Sequence, residues 1–296
     1  MSSKNKLHGV GVALVTPFDS DGKVDFVGLE KLLEHVSPHL DYLVVNGTTA
    51  ESPTLSASER IAILEFVQQN NPSKLPIVFG MGANNTQALI SEIQQANFDG
   101  IDAILSVSPY YSKPTQEGIF QHYKVVADTS PVPIILYNVP PRTGSKMDAE
   151  TTIRLSNHQN IVAIKEASGD LVQCATIRKQ APKDFLLISG DDLLTIPLVS
   201  LGGSGVISVI ANAFPEQFAS YVNHTLNGDF AKANELSHSL LEINQLLFAE
   251  GNPAGVKLAL EIQGICQSQV RLPLVKGSEK LRKEIEEKMK TELGMN

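Results

Sequence analysis

The chain has 296 residues, 42% hydrophobic and 19% charged, enough for one large α/β domain with a substantial core and too ordinary for a disordered or fibrous class. Its 24 Lys and Arg against 32 Asp and Glu give a net charge of −8 with no dense basic cluster, which speaks against nucleic acid or an anionic membrane as a partner. No run approaches the roughly 20 apolar residues that span a bilayer, the N-terminal stretch 1–9 is polar rather than leader-like, and Cys174 and Cys266 stand far apart without CxxC pairing, so a cytoplasmic protein with two plain buried thiols is expected.

Short β-rich runs follow one another: GVALVTPF (11–18), YLVVNG (42–47), PIVFGM (76–81), AILSVSP (103–109), PIILYNV (133–139), IVAIKEAS (161–168), FLLISGDD (185–192) and GVISVI (205–210). Helix-spaced apolar residues lie between them, such as Leu29, Leu32, Leu33 and Val36, or Ile61, Ile63, Leu64 and Val67. Ser56 and Asp148 are suited to cap the helices that follow them. Strands continuous in Val and Ile, rather than alternating, belong to a parallel sheet covered on both faces. Eight of them in about 220 residues fit a closed (β/α)8 TIM barrel, with an open doubly wound sheet as the alternative, because periodicity counts strands without showing closure. After residue 228 the alternation stops. AKANELSHSLLEINQLLF and SEKLRKEIEEKMKTEL read as amphipathic helices, the second with Leu281, Ile285, Met289 and Leu293 on one stripe. The expected organisation is a catalytic barrel over 1–228 and a C-terminal helical domain over 229–296.

In such a barrel the reactive groups gather where the strands end. Those ends read Thr16-Pro17, Asn46-Gly47-Thr48-Thr49, Ser108-Pro109-Tyr110-Tyr111, Tyr137-Asn138, Lys165-Glu166, Gly190-Asp191-Asp192 and Ile207-Ser208. Lys165 closes an apolar strand, and burial favours the neutral amine, a nucleophile toward carbonyl carbon. The alternative is an ammonium paired with Glu166 or reaching to the rim. Tyr137 ends the preceding strand, within reach either to pass protons or simply to find a partner for its hydroxyl. The GTTAES loop offers backbone N–H groups and two hydroxyls to a small carboxylate, and Arg142 offers a planar fork to another. Asp191 and Asp192 suit helix capping better than metal binding, the seven histidines show no HxH or HExxH spacing, and GGSG at 202–205 reads as a tight turn on the opposite barrel face.

Taken in order, GTTAESPTL (47–55), GANNT (82–86), PYYSKPTQEG (109–118), YNVPPRTG (137–144), IKEASGD (164–170), SGDD (189–192) and GVISV (205–209) resemble the dihydrodipicolinate synthase/N-acetylneuraminate lyase family. The match runs from residue 8 through NPAGVKLALEIQG (252–264) to RLPL (271–274). The resemblance implies a barrel with a helical tail and Schiff-base chemistry on pyruvate, with no metal or organic cofactor. It implies Lys165 as the Schiff-base lysine, Tyr137 as general acid/base, and Thr48 and Tyr111 as the rest of its proton relay. Thr49, Gly190 and the backbone carbonyl of Ile207 would surround the pyruvate moiety. In the family, the tyrosine matching Tyr111 reaches the active site of a neighbouring subunit, which implies a dimer as the smallest catalytic unit and a homotetramer as the assembly.

The PPRTG setting of Arg142 favours the lysine-biosynthetic branch, which condenses pyruvate with L-aspartate 4-semialdehyde; Arg142 would hold the semialdehyde carboxylate. Another pyruvate-dependent aldolase, for N-acetylneuraminate or a 2-keto-3-deoxy sugar acid, is the alternative. A non-catalytic binding barrel has no need of Lys165, Tyr137 and Thr48 together. Two departures from the family pattern stand out. Ala50 replaces a common glycine, so an altered loop geometry is expected. Ser52, Asn84 and Tyr110 match the family's L-lysine feedback site, but Ala57 and Ala88 stand where that site has a histidine and a glutamate. Weak or absent inhibition by L-lysine is therefore expected.

Overall fold

Strands β1 (Gly9–Ala13), β2 (Tyr42–Val45), β3 (Ile77–Gly80), β4 (Ala103–Val107), β5 (Ile134–Asn138), β6 (Ile161–Glu166), β7 (Leu186–Ser189) and β8 (Gly205–Ser208) lie side by side in chain order, all parallel. The last pairs with the first, Gly9 opposite Gly205 and Val12 opposite Ser208, which closes a barrel and disposes of the open sheet. The structure is a computed structural model that describes residues 6–295, so residues 1–5 of the polar N-terminal stretch lie outside the described residues.

Each strand buries both faces, which is why its sequence is apolar without alternation. Tyr42, Val44, Val78, Leu105, Ile135, Ala163, Ile188 and Ile207 fill the barrel interior. Leu43, Val45, Ile77, Ile104, Leu136, Ile164 and Val206 face outward against helix residues such as Leu29, Leu32, Leu33, Ile63 and Val67. Side-chain caps start the helices where the sequence placed them. Ser56 forms a reciprocal capping box with Glu59 ahead of the helix Ala57–Gln69, and Asp148 accepts from Thr151 N ahead of Ala149–Ser156.

β1 lies at Gly9–Ala13 rather than 11–18. Pro17 has no N–H to give to a ladder; its carbonyl accepts from Asp25 N, and Phe18 makes only an isolated antiparallel bridge to Val24. The GGSG turn enters β8 at the N-terminal end of the barrel, as expected. A Cβ on Gly205 (φ 141°) would lie 1.9 Å from Gly9 O, so the closing strand pair requires glycine there.

The helices Phe230–Ala249, Ala254–Ile262 and Glu279–Leu293 pack on one another at the end of the chain. Leu281, Ile285 and Met289 form the buried stripe of the last helix, with Leu293 partly buried beside it. Each fully buried Leu or Ile contributes about 1.5–3 kcal/mol. The helix Ala254–Ile262 is buried nearly all round, Lys257 included. No helix among the described residues is long and apolar enough to cross a membrane.

Candidate active site

Lys165 and Tyr137 are register partners on adjacent strands, so their side chains leave the sheet on the same face. Lys165 Nζ lies 4.5 Å from the Tyr137 ring centroid, and Lys165 is 5% exposed. Facing inward is not what strict alternation along β6 dictates, since Ile161 faces the helices and position 165 shares its parity. The pairing supplies the correction: Ile134 pairs with Ile161 but Ile135 with Ala163, so β6 carries an extra residue, Val162, in a bulge. That insertion reverses the phase of every residue after it. Val162 and Ala163 both join the interior cluster, and Lys165 follows them inward.

Glu166 is thereby turned outward. Its carboxylate accepts from Asn138 Nδ2 at 3.0 Å, Gln173 Nε2 at 2.8 Å and Ser168 N at 2.8 Å. A carboxylate with three donors of its own is not the counter-ion of Lys165, and among the described residues Lys165 makes no ion pair. Gly190 stands against the lysine stem: a Cβ there would lie 3.1 Å from Lys165 Cε and 2.6 Å from Ala167 Cβ. Ile207 sits in β8 one residue before its end, buried in the interior.

The β2 loop turns sharply through two short 3₁₀ turns, Thr48–Ala50 and Ser52–Thr54. Its left-handed residues are Asn46 and Glu51 (φ 57° each), not Ala50, so alanine at position 50 needs no positive φ. Thr49 is buried, and its Oγ1 accepts from Asn252 Nδ2 at 3.0 Å. Thr48, Tyr137, Tyr110 and Arg142 line one cavity of about 270 Å³ with Ser52, Arg60 and Val139. Arg142 belongs to the single helical turn Pro140–Thr143, is exposed, and makes no ion pair among the described residues. Tyr111 stands apart. It is 88% exposed at φ 71° on the rim, with its backbone N–H donating to Thr143 O.

One of the two capping aspartates departs from expectation. Asp191 Oδ1 accepts from Leu193 N and Leu194 N ahead of the helix Thr195–Ser200, but Asp192 reaches across to β8, where its Oδ2 accepts from Val209 N and Ile210 N. Burial pushes the Asp192 carboxyl up to about 6, against the pull of the Ile210 N–H. Its role is to tie the β7 loop to the end of β8. Among the described residues no group of three or more His, Cys, Asp and Glu could hold a metal ion. Burial also pushes both thiols, Cys174 and Cys266, up to about 12, which leaves them unreactive.

Sequence reasoning passed over the contacts that reach this loop from the end of the chain, namely Asn252, Lys257 and Arg271. Lys257 carried the same signal as Lys165, a lysine inside an apolar run (AGVKLAL).

Residues 6–292 match the model of the Dihydrodipicolinate synthetase family. The 4-hydroxy-tetrahydrodipicolinate synthase of Cytophaga hutchinsonii is 50% identical over 281 residues, 95% of each chain. Among solved structures, a monomeric dihydrodipicolinate synthase variant superposes with a TM-score of 0.95 at 36% identity, covering 100% of this chain and 99% of that one. The chloride-inhibited dihydrodipicolinate synthase of Acinetobacter baumannii, complexed with pyruvate, superposes with a TM-score of 0.93 at 37% identity, covering 98% and 100%.

Proposed function

The chain belongs to the dihydrodipicolinate synthetase family, and from that premise we infer how its residues carry out the 4-hydroxy-tetrahydrodipicolinate synthase reaction, the joining of pyruvate to L-aspartate 4-semialdehyde. The observation that carries the reading is the buried register pair of Lys165 and Tyr137, with Glu166 occupied elsewhere.

Neutral Lys165 Nζ attacks the ketone carbon of pyruvate, and the Tyr137 hydroxyl carries protons to and from the carbinolamine as water leaves. Thr48 extends that relay. Thr49 and the N–H groups of the β2 loop hold the pyruvate carboxylate, while Gly190 and the Ile207 carbonyl bound the rest of the molecule. The protonated imine then draws electrons from the methyl group, which loses a proton to give an enamine. That carbon adds to the semialdehyde, whose carboxylate Arg142 holds. The semialdehyde amino group closes the ring on the imine carbon, expelling Lys165.

Tyr111, exposed on its own chain, enters the relay of a neighbouring copy in this reading. A dimer is then the smallest complete unit and a homotetramer the assembly, which sedimentation of the intact chain checks. The setting is the cytoplasm. Ring-product formation from pyruvate and aspartate semialdehyde, run beside N-acetylneuraminate and 2-keto-3-deoxy sugar acids, tests the reading, and turnover of a sugar acid alone contradicts it. Arg142→Ala raises the KM for the semialdehyde by roughly 10- to 150-fold, the loss of one charged hydrogen bond, and leaves that for pyruvate unchanged. Equal loss for both substrates removes Arg142 from its assigned place.

A further inference from the structure

The β2 loop that carries Thr48 and Thr49 is held from the far end of the chain. Glu51 lies between its two turns at φ 57°, a conformation that non-glycine residues adopt only where their surroundings impose it. The imposing groups are visible. Glu51 Oε1 accepts from Lys257 Nζ at 2.6 Å, and Oε2 accepts from Arg271 N at 2.9 Å. Both members of the ion pair are 0% exposed. Lys257 Nζ also donates to Gln269 O at 2.8 Å and lies 4.2 Å from the centroid of the Phe18 ring. Arg271 ties the same region down a second time, through Thr54 O and the carboxylate of Glu59.

A second contact acts on the hydroxyl itself. Thr49 Oγ1 accepts from Asn252 Nδ2, with both residues buried. A threonine hydroxyl has one proton and two lone pairs. With one lone pair occupied by Asn252, the proton is turned away from Asn252, free to donate to an anion on the other side.

We propose that Asn252 and Lys257 are positioning residues of the pyruvate step: Lys257 fixes the backbone of the β2 loop through Glu51, and Asn252 aims the Thr49 hydroxyl at the substrate carboxylate. The proposal rests on the assignment of Thr49 to pyruvate binding made above. A contact that helps ground state and transition state alike appears in KM rather than kcat. A buried ion pair, moreover, can often be replaced by neutral residues of similar volume without loss of stability.

Two sets of variants separate positioning from folding, each read by pyruvate KM, kcat and thermal midpoint. The double variant Glu51→Gln, Lys257→Met removes both charges at nearly constant volume; it keeps its midpoint while pyruvate KM rises roughly tenfold, equal to about 1.4 kcal/mol. Asn252→Ala and Asn252→Asp make the sharper comparison. The aspartate takes the Thr49 proton for itself and repels the substrate anion, so Asn252→Asp raises pyruvate KM further than Asn252→Ala, although it is the nearer match in shape. A merely structural amide predicts the reverse order. Wild-type pyruvate KM in the Asn252 variants, or the reverse order, overturns the proposal whether or not the double variant folds. Wild-type protein that makes no ring product sinks the functional reading instead, so the two failures remain distinct.

Discussion

At the scale of single residues, two alanines bear on inhibition by L-lysine. Ala57 and Ala88 are exposed on neighbouring helices, and neither offers a carboxylate or an imidazole. Arg60, one turn along from Ala57, lines the cavity that Thr48, Tyr110 and Arg142 share, and is paired with Glu92. A ligand ammonium at these two positions would lack a charged hydrogen bond worth about 1.5–3 kcal/mol. L-lysine should inhibit only weakly, with no effect below millimolar concentration; a sub-millimolar inhibition constant from initial rates would contradict this. Lys165 was legible in the sequence because an ammonium at the end of an apolar strand calls for a reason. Whether Glu166 pairs with it was not, since that depends on where the side chain of Glu166 turns, and Asn138 and Gln173 hold that carboxylate on the other face of the strand.

Elements decide which side chains the barrel interior receives. The bulge at Val162 brings Lys165 into phase with Tyr137, so insertion of one alanine between Ala163 and Ile164 exchanges the facings of Lys165 and Glu166, whereas deletion of Val162 leaves them as they are. The folded, soluble fraction of the insertion variant should retain the far-ultraviolet signature of the barrel and show no turnover; activity within tenfold of wild type would falsify the phase argument. A second element-scale device joins the helices Thr86–Gln95 and Gln116–Thr129, where His122 Nδ1 meets Thr86 Oγ1 at 2.9 Å. Burial lowers the His122 imidazole from 6.5 to about 4. The unfolded chain takes up that proton first on acidification, so the stability His122 contributes is fully present above pH 6.5 and is lost as pH falls toward 4. At about 1.4 kcal/mol per unit the loss is about 2–3 kcal/mol, and His122→Gln flattens that limb in urea denaturation at pH 7 and pH 4.5. Asp192 works in the opposite sense, since its raised value makes the folded state the better proton acceptor between about pH 4 and pH 6. An unchanged acid limb in His122→Gln rejects the assignment. Strand number and type could be read from the apolar runs, but the bulge could not. It exists only in the pairing of β5 with β6, and β1 was misplaced because its two glycines mute the signal that Leu14 to Phe18 imitate.

For the whole molecule, the sequence break at residue 228 marks a change of architecture from alternating strands and helices to helices alone. We propose to keep 1–228 and 229–296 as the two parts, with one qualification about how they work. Asn252, Lys257 and Arg271 lie in the second part and hold the β2 loop of the first, so the proposed site draws on both. Lys257 and Glu51 stand 206 residues apart, and no local pattern joins positions so distant; barrel closure through Gly9 and Gly205 escaped periodicity for the same reason. The proposed reaction rests on one event, the attachment of a 2-oxo acid to the buried amine of Lys165. The direct measurement is the intact mass of the protein after incubation with pyruvate and borohydride, followed by peptide mapping. A single reduced pyruvate adduct on Lys165, absent from Lys165→Ala, is the predicted result; an unmodified chain, or an adduct on another lysine, contradicts the account.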